Sequence, residues 1–470
     1  MTNEVAILYS IIVLQLLLCD RKADVMIKDL TTGKPERVLW KFTIPMFISV
    51  IFQQIYNIAD SIIAGNYASE NALAAVGASY PITMIFMAIA IGSNIGCCVV
   101  ISNLFGAKKF GEMKTAISTT ILTTIGLSTI LTVLGLLGSK SLMRMLNTPS
   151  DIFKDGAIYL QIYIGGFIFL YLYNVCTGIF SSLGDSITPL KLLIGSSLGN
   201  IFLDLVFVVV FHWGVAGVAW ATFIAQGIAC ILALLILVKR LRMIKLEKKP
   251  KIFSGAMLVK IATIAIPSIL QQSFVSIGNI FIQRLINHYG SSIIAGYSAA
   301  IKLNTFAITS FTTLGNGLSS FTAQNIGANK HERVKRGYKA GILMATMVAV
   351  PFFVIYFLFS QSMIMLFMTN KGSGALKTGM NFLRIVTPFY FVICIKLIAD
   401  GVLRGAQRMK EFMTSTFVDL ILRVILAYVF SKACGLGTIG IWLSWPVGWT
   451  VAMVLSTTFY HNFCRKVVES

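Results

Sequence analysis

Asp60, Asn200 and Asp204 are polar residues set within long apolar runs, with Thr222 in a further such run. Side chains of this kind are costly in hydrocarbon and are functional candidates for that reason. Asn200 and Asp204 are four residues apart, so on a helix they share one face. Asp60 follows Gln53, Gln54, Tyr56 and Asn57. Such side chains offer an oxygen-rich nest with a carboxylate for charge. Na+ needs several oxygens, whereas a proton needs only a carboxylate tuned by burial. Asp60 also fits a plainer role near a helix end facing water. Asp204, among Leu203, Leu205, Val206 and Phe207, fits that role poorly.

The second half of the chain carries different chemistry: Arg284, Lys302, Arg384, Lys396, Asp400, Asp419 and Arg423. Lys396 and Asp400 are spaced to pair with each other on one helix. Lys302 is expected to snorkel or to line a cavity. Gln53, Tyr56, Asn57, Lys302 and Lys396 are the residues expected to touch a substrate. Cysteines and histidines add no metal pattern: Cys97, Cys98, Cys176, Cys230, Cys394 and Cys434 read as small apolar filler, and His212, His288, His331 and His461 have no ligand spacing. No GxxxxGK[ST] run is present, so no nucleotide-driven machinery is visible, and any energy would have to come from an ion gradient or from a partner.

The elements that must hold these residues are membrane helices. Of 470 residues, 56% are hydrophobic and 12% charged, against about a quarter charged in a soluble domain. Twelve apolar stretches recur, near 38–60, 78–101, 117–138, 157–180, 189–211, 215–238, 257–283, 294–318, 338–361, 380–401, 412–432 and 437–460. Each is long enough to cross about 30 Å of hydrocarbon. The chain also repeats itself. Ser102-Asn103-Leu104-Phe105-Gly106-Ala107-Lys108-Lys109 returns about 221 residues later as Ala323-Gln324-Asn325-Ile326-Gly327-Ala328-Asn329-Lys330. Ile44-Pro45 and Asn57 return as Ile266-Pro267 and Asn279. Two tandem halves of six spans each enter from the same side, so they share one topology. The fold class is therefore an all-α membrane protein with twelve transmembrane helices in two homologous six-helix lobes.

The expected division is an N-terminal extension at 1–25, a lobe at 26–238, a basic linker at 239–256, a second lobe at 257–461 and a tail at 462–470. The run Val5–Leu18 is short for a span, and Met26-Ile27-Lys28-Asp29-Leu30 reads like a fresh start, so residues 1–25 are expected to be either a non-native extension or an interfacial helix. Basic residues crowd one set of loops: Lys239, Arg240, Arg242, Lys245, Lys248, Lys249, Lys251 and Lys260, with Lys108, Lys109, Lys330, Arg333, Arg404, Arg408 and Lys410. The positive-inside rule then puts both termini in the cytoplasm of a multi-pass cell-membrane protein. The net charge of +21 sits in these loops, which disfavours nucleic acid as a partner. Prolines at 45, 81, 189, 267, 351, 388 and 446 permit bending, and small residues such as Gly92, Gly96, Gly165, Gly166, Gly195 and Gly199 permit close helix approach. The matched pair Pro45 and Pro267 is the one expected to serve a mechanism.

In order and spacing, several motifs resemble those of the multidrug and toxic compound extrusion (MATE) transporters, DinF-like prokaryotic branch. They are Pro45 with Gln53-Gln54-Ile55-Tyr56-Asn57-Ile58-Ala59-Asp60, Phe105-Gly106-Ala107-Lys108, Leu183-Gly184-Asp185-Ser186-Ile187-Thr188-Pro189-Leu190 and Asn200-Ile201-Phe202-Leu203-Asp204. Gly214-Val215-Ala216-Gly217-Val218-Ala219-Trp220, Gln324-Asn325-Ile326-Gly327-Ala328, Leu403-Arg404-Gly405 and Gly440-Ile441-Trp442 continue the series to about residue 460. The resemblance implies two lobes that rock between inward- and outward-open forms. It implies export of bulky, often cationic drugs in exchange for H+ or Na+, as an antiporter and not an enzyme. It implies a cation site at Asp60, Asn200, Asp204 and Thr222, which become metal ligands if the ion is Na+. The stretch Pro267–Arg284 lacks the acidic residue that a second branch uses, which favours coupling in the first lobe. No cofactor is expected beyond the ion. The expected partners are a drug-like or amphiphilic small molecule and the bilayer, around a monomer. A flippase or exporter of a lipid-linked or amphiphilic metabolite is the alternative, kept open by Lys302, Arg384, Lys396 and Arg423.

Overall fold

The computed structural model describes residues 28–63, 70–146, 148–246, 249–367 and 374–468. The expected extension at 1–25 lies outside them, and so do the side chains of residues 58–63 and 70–73, Asp60 included. The chain is helical: α1 Pro35–Ile63, α2 Glu70–Gly106, α3 Phe110–Met145, α4 Ser150–Gly165, α5 Phe167–Ser182, α6 Ile187–Asp204, α7 Gly214–Met243 and α8 Gly255–Asn287. The second half continues with α9 Ser291–Gly327, α10 His331–Leu358, α11 Ser360–Met365, α12 Gly374–Val386, α13 Tyr390–Gly405, α14 Met409–Tyr428 and α15 Gly437–Val468. Wider π turns extend α6 over Leu205–Val210 and α14 over Val429–Ala433.

Ten of these runs are individually long and apolar enough to cross a membrane. The expected span near 157–180 is broken: α4 and α5 meet at 47°. Gly165 and Gly166 sit at the break, where the weak helix propensity of glycine lets the axis turn. The expected span near 294–318 lies in α9, which at 37 residues is long enough but rich in Ser, Thr and Asn. Asn304, Ser310, Ser319, Ser320, Thr322, Gln324 and Asn325 of this helix are buried against protein, not lipid. Counting the bent pair once and including α9, the helices make twelve spans in two sets of six.

The backbone repeats with the sequence. Left-handed residues fall at Lys108 and Asn329, at Gly184 and Gln407, at His212 and Gly435, and at Gly214 and Gly437. Each of the first four ends a helix with the same wide turn. Lys109 N–H bonds Leu104 C=O, Asp185 bonds Phe180, Lys330 bonds Asn325 and Arg408 bonds Leu403, at 2.8–3.0 Å. The repeated Phe-Gly-Ala-Lys and Ile-Gly-Ala-Asn motifs are thus helix C-caps that satisfy terminal carbonyls.

Two compact units emerge, and they divide the chain differently from the repeat. One holds residues 44–269, the other residues 30–43 and 270–470. In the first unit α2 is central, in contact with α3, α4, α5 and α7. Gly92 and Gly96 of α2 lie so close to Ile269 and Ala265 of α8 that a Cβ at either would collide with backbone. In the second unit α9 contacts α10, α12 and α13, and α15 contacts α12, α13 and α14. The segment before α1 is clasped there. Leu30 N–H donates to Gln324 Oε1 at 3.0 Å, Lys330 Nζ to Thr31 C=O at 2.9 Å, and Arg333 to the carbonyls of Leu30, Thr32 and Gly33. Thr43 Oγ1 reaches Met344 Sδ at 3.0 Å. Helices α1 and α8 therefore each begin in one unit and finish in the other, changing over beside Pro45 and Pro267.

Candidate functional site

Three helices of the first unit bring the predicted polar residues together. α6 presents Asn200 and Asp204 on one face, α1 supplies Tyr56, and α7 supplies Thr222. Asp204 is fully buried and Asn200 nearly so. In one amide orientation, Asn200 Nδ2 donates to Thr222 Oγ1 at 3.3 Å. Turned over, the nitrogen donates to Asp204 Oδ2 at 2.9 Å and Tyr56 Oη at 3.1 Å, while the oxygen accepts the Thr222 backbone N–H at 3.0 Å. The second orientation uses both ends of the amide, which a buried amide requires. The Thr222 hydroxyl donates back to Val218 C=O at 3.1 Å, so its lone pairs remain available to a ligand. Asp60 follows Tyr56 by one helical turn of α1.

This arrangement gathers a buried carboxylate and amide with a half-buried phenol and hydroxyl. A carboxylate enclosed in this way holds a proton or shares its charge with a cation. The nest lies where α6 gives way to its π turn at Leu205, a geometry that recurs at functional sites.

Thr222 also lines a shallow recess formed at the α4–α5 bend by Tyr159, Tyr163, Gly166, Leu170, Phe223 and Gln226, among others. Gly166 makes room for Phe223: a Cβ there would sit 2.9 Å from that ring. Tyr159 and Tyr163 are stacked at 6.3 Å, and Gln226 Oε1 is buried without a protein partner. Apart from Gly166, these residues were not singled out from sequence. The glycine pair at 165–166 and the i,i+4 tyrosines are the signals that point to them.

Of the expected substrate residues, Tyr56 joins the nest, while Gln53 and Asn57 lie on exposed faces of α1. Lys302 is exposed, its ammonium 5.8 Å from the Phe367 ring. Lys396 is enclosed at 3% exposure and bonded to Asp400 at 2.7 Å, with Thr416 at 3.4 Å. Asp400 accepts in addition from Ser415 and Ser456, so the pair joins α13, α14 and α15. Asp419 and Arg423 form a second buried pair at 2.7 Å. Arg384 is exposed and donates to Ser360.

Two residues counted among the loop charges are structural. Arg240 lies in α7, buried, paired with Asp185 and donating to Thr188 Oγ1 at 2.7 Å. Asp185 in turn caps α6 by accepting the N–H groups of Ile187 and Thr188 at 3.0 and 3.1 Å. Arg404 is buried, donates to Asn316 at 2.9 Å and lies over Phe412. The Leu183–Leu190 motif is therefore a corner of the scaffold.

Comparison with known proteins agrees with this architecture. The MatE family model matches residues 45–206 and again 267–429, one match in each half. The chain is 25% identical over 448 residues to the "Probable multidrug resistance protein YoeA" of Bacillus subtilis (strain 168), spanning 93% of this chain and 96% of that protein. It is 25% identical over 339 residues to "Multidrug export protein MepA" of Staphylococcus aureus (strain N315), spanning 72% and 74%. Among solved structures, a MOP superfamily transporter from Pyrococcus furiosus Vc1 (DSM3638) superposes with TM-score 0.88 at 22% identity over 94% of this chain and 98% of that one. MATE in complex with MaD3S gives TM-score 0.87 at 22% identity over 94% and 99%. At that identity the two structures bear on the fold alone.

Proposed function

Since this chain belongs to the MatE family, we propose that it is a secondary active multidrug efflux antiporter. It exports bulky, often cationic organic compounds across the cell membrane in exchange for H+ or Na+, and it is not an enzyme. The observation that carries this reading is the Tyr56–Asn200–Asp204–Thr222 nest in the first unit, built around the buried Asn200 and Asp204. Asp60 completes the ion site in this reading. Ion loading neutralises the carboxylates and weakens their hold on a cationic drug. Thr222 belongs to both the nest and the aromatic recess, so a change in the nest is felt at the α4–α5 bend. The lobes rock, with α1 and α8 bending near Pro45 and Pro267. The basic loops are cytoplasmic, as are both termini. A ligand drives such a switch only by binding the two states unequally, and the nest supplies that difference.

The test is ethidium efflux from proteoliposomes, with Na+ and H+ gradients imposed separately, for wild type and Asp204→Asn. Efflux driven by one gradient and lost in the variant is the expected result. Efflux that survives replacement of Asp60 and Asp204 together would sink the mechanism. A second reading, export of an anionic amphiphile, draws on the exposed Lys302 and Arg384. It predicts that folded protein moves no ethidium under either gradient.

A further inference from the structure

Over the fifth and sixth spans the two halves correspond residue by residue. The left-handed positions Gly184 and Gln407, His212 and Gly435, and Gly214 and Gly437 are each 223 residues apart. The close approaches keep the same spacing: Gly217 abuts the carbonyl carbon of Phe207, and Gly440 that of Phe430. This register sets Arg423 against Asn200 and Trp445 against Thr222, with Ala427 in place of Asp204 and Asp419 in place of Ser196. The contacts follow the register. Asn200 reaches Thr222 in the first unit. In the second, the Arg423 guanidinium lies 4.5 Å from the Trp445 ring centre.

We propose that Arg423 is a tethered cation: its guanidinium fills, in the C-terminal unit, the position where the N-terminal unit takes an exchangeable ion. Coupling is thereby confined to one unit. This rests on the reading of the Asn200–Asp204 nest as the ion site. Three features support it. The carboxylate has moved from the turn after the central residue to the turn before it, where Asp419 Oδ2 accepts from Arg423 Nη2 at 2.7 Å. The face of Trp445 replaces the Thr222 hydroxyl, and an aromatic face binds a guanidinium where a hydroxyl binds a small ion. The site is also closed. Asp419, Arg423 and Trp445 are all buried, and α15 comes near enough that a Cβ on Gly448 would lie 2.8 Å from Asp419 Oδ1.

Arginine suits this role because it does not lose its proton in proteins. A lysine or histidine there would change charge through the cycle and add a second coupling step. An arginine serving only to bind α14 to α15 makes a different prediction, since replacing it then alters stability and not the number of ions moved.

The experiment measures ions exchanged per ethidium in proteoliposomes of the full-length chain. An ethidium gradient is poised against a gradient of the driving ion until net flux stops. Arg423→Gln leaves Asp419 buried without its partner, and at an ion-exchange position such a carboxylate takes up and releases a cation in each cycle, whereas at a merely structural position it holds one throughout, so the ratio is expected to rise by about one. Arg423→Gln with Asp419→Asn is expected to return it to the wild-type value. A wild-type ratio in Arg423→Gln, or a raised ratio that persists in the double variant, overturns the proposal. If Arg423→Gln does not fold, the reciprocal change Asn200→Arg decides. A guanidinium in the first nest should make ethidium flux independent of the ion gradient, and a wild-type ratio there overturns the proposal equally. Asp204→Asn measured alongside separates this from the parent reading. An unchanged ratio in Asp204→Asn removes the ion site itself. A lost ratio there, with Arg423→Gln unchanged, removes only the tethered cation.

Discussion

Replacing Lys396 by Met breaks a buried ion pair without opening a large cavity. In the native protein Lys396 Nζ lies 2.7 Å from Asp400 Oδ2, and Ser456 and Ser415 donate to Oδ1 at 2.7 and 3.3 Å. The variant leaves a carboxylate at 1% exposure with hydroxyl donors but no cation. Leaving it charged costs about 3–5 kcal/mol. Taking a proton from solution is the other outcome. An ordinary aspartate titrates at about 3.9, so at about 1.4 kcal/mol per pH unit this costs about 4 kcal/mol at pH 7. The smaller cost sets the loss, which is therefore no more than about 4 kcal/mol at pH 7 and about 1.4 kcal/mol less for each unit of acidification. The sign follows from proton counting. The folded variant holds a proton that the unfolded chain lacks above pH 4, so its stability falls as pH rises, by about 3 kcal/mol between pH 5 and pH 7. Thermal unfolding in detergent at pH 5 and pH 7, followed by tryptophan emission, reads the difference. Lys396→Met together with Asp400→Asn should recover to within about 1 kcal/mol of wild type, since the asparagine oxygen keeps the serine bonds. A pH-independent deficit, or a single variant as stable as wild type at pH 7, refutes the reasoning.

Other outcomes follow from the same contacts. Gly184→Ala should cost about 1–3 kcal/mol from its φ of +74° alone, and more because its Cβ meets the Lys28 carbonyl oxygen. Gly111→Ala, with nothing within 4 Å, should melt like wild type. Arg333→Ala removes the guanidinium bonds to Leu30, Thr32 and Gly33, so amide exchange across residues 30–34 should accelerate about tenfold or more, and unchanged exchange would count against the clasp. Thr222→Val keeps the shape and removes the hydroxyl, and should raise the ion concentration for half-maximal ethidium efflux about tenfold, equivalent to about 1.4 kcal/mol.

Some of the site was legible in the chain because its logic is local. Asn200 and Asp204 share a face by spacing alone, and Lys396 and Asp400 pair as their spacing predicts. Other elements carry little one-dimensional signal. α9 passes for a marginal span because its polar side chains are buried against other helices and not against lipid. Arg240 and Arg404 counted as loop charges because composition does not tell a solvated guanidinium from one folded back onto Asp185 or Asn316. Tyr159 and Tyr163 share a face of α4 by spacing, but only the fold brings that face beside Thr222 and Gln226 of α7.

By itself the sequence determined the membrane class, the spans and the tandem repeat. These depend on hydropathy summed over about 20 residues and on identities along the line of the chain. Tertiary structure decided what is nonlocal. It brought Tyr56, Asn200 and Thr222 from three helices to one point, and assigned the starts of α1 and α8 to opposite units. It also set Arg423 upon Trp445 where Asn200 meets Thr222. A helix face is readable from spacing. Which face meets which depends on close approach at glycines such as Gly92, Gly217 and Gly440, and on caps such as Asp185, and only the folded chain brings those together.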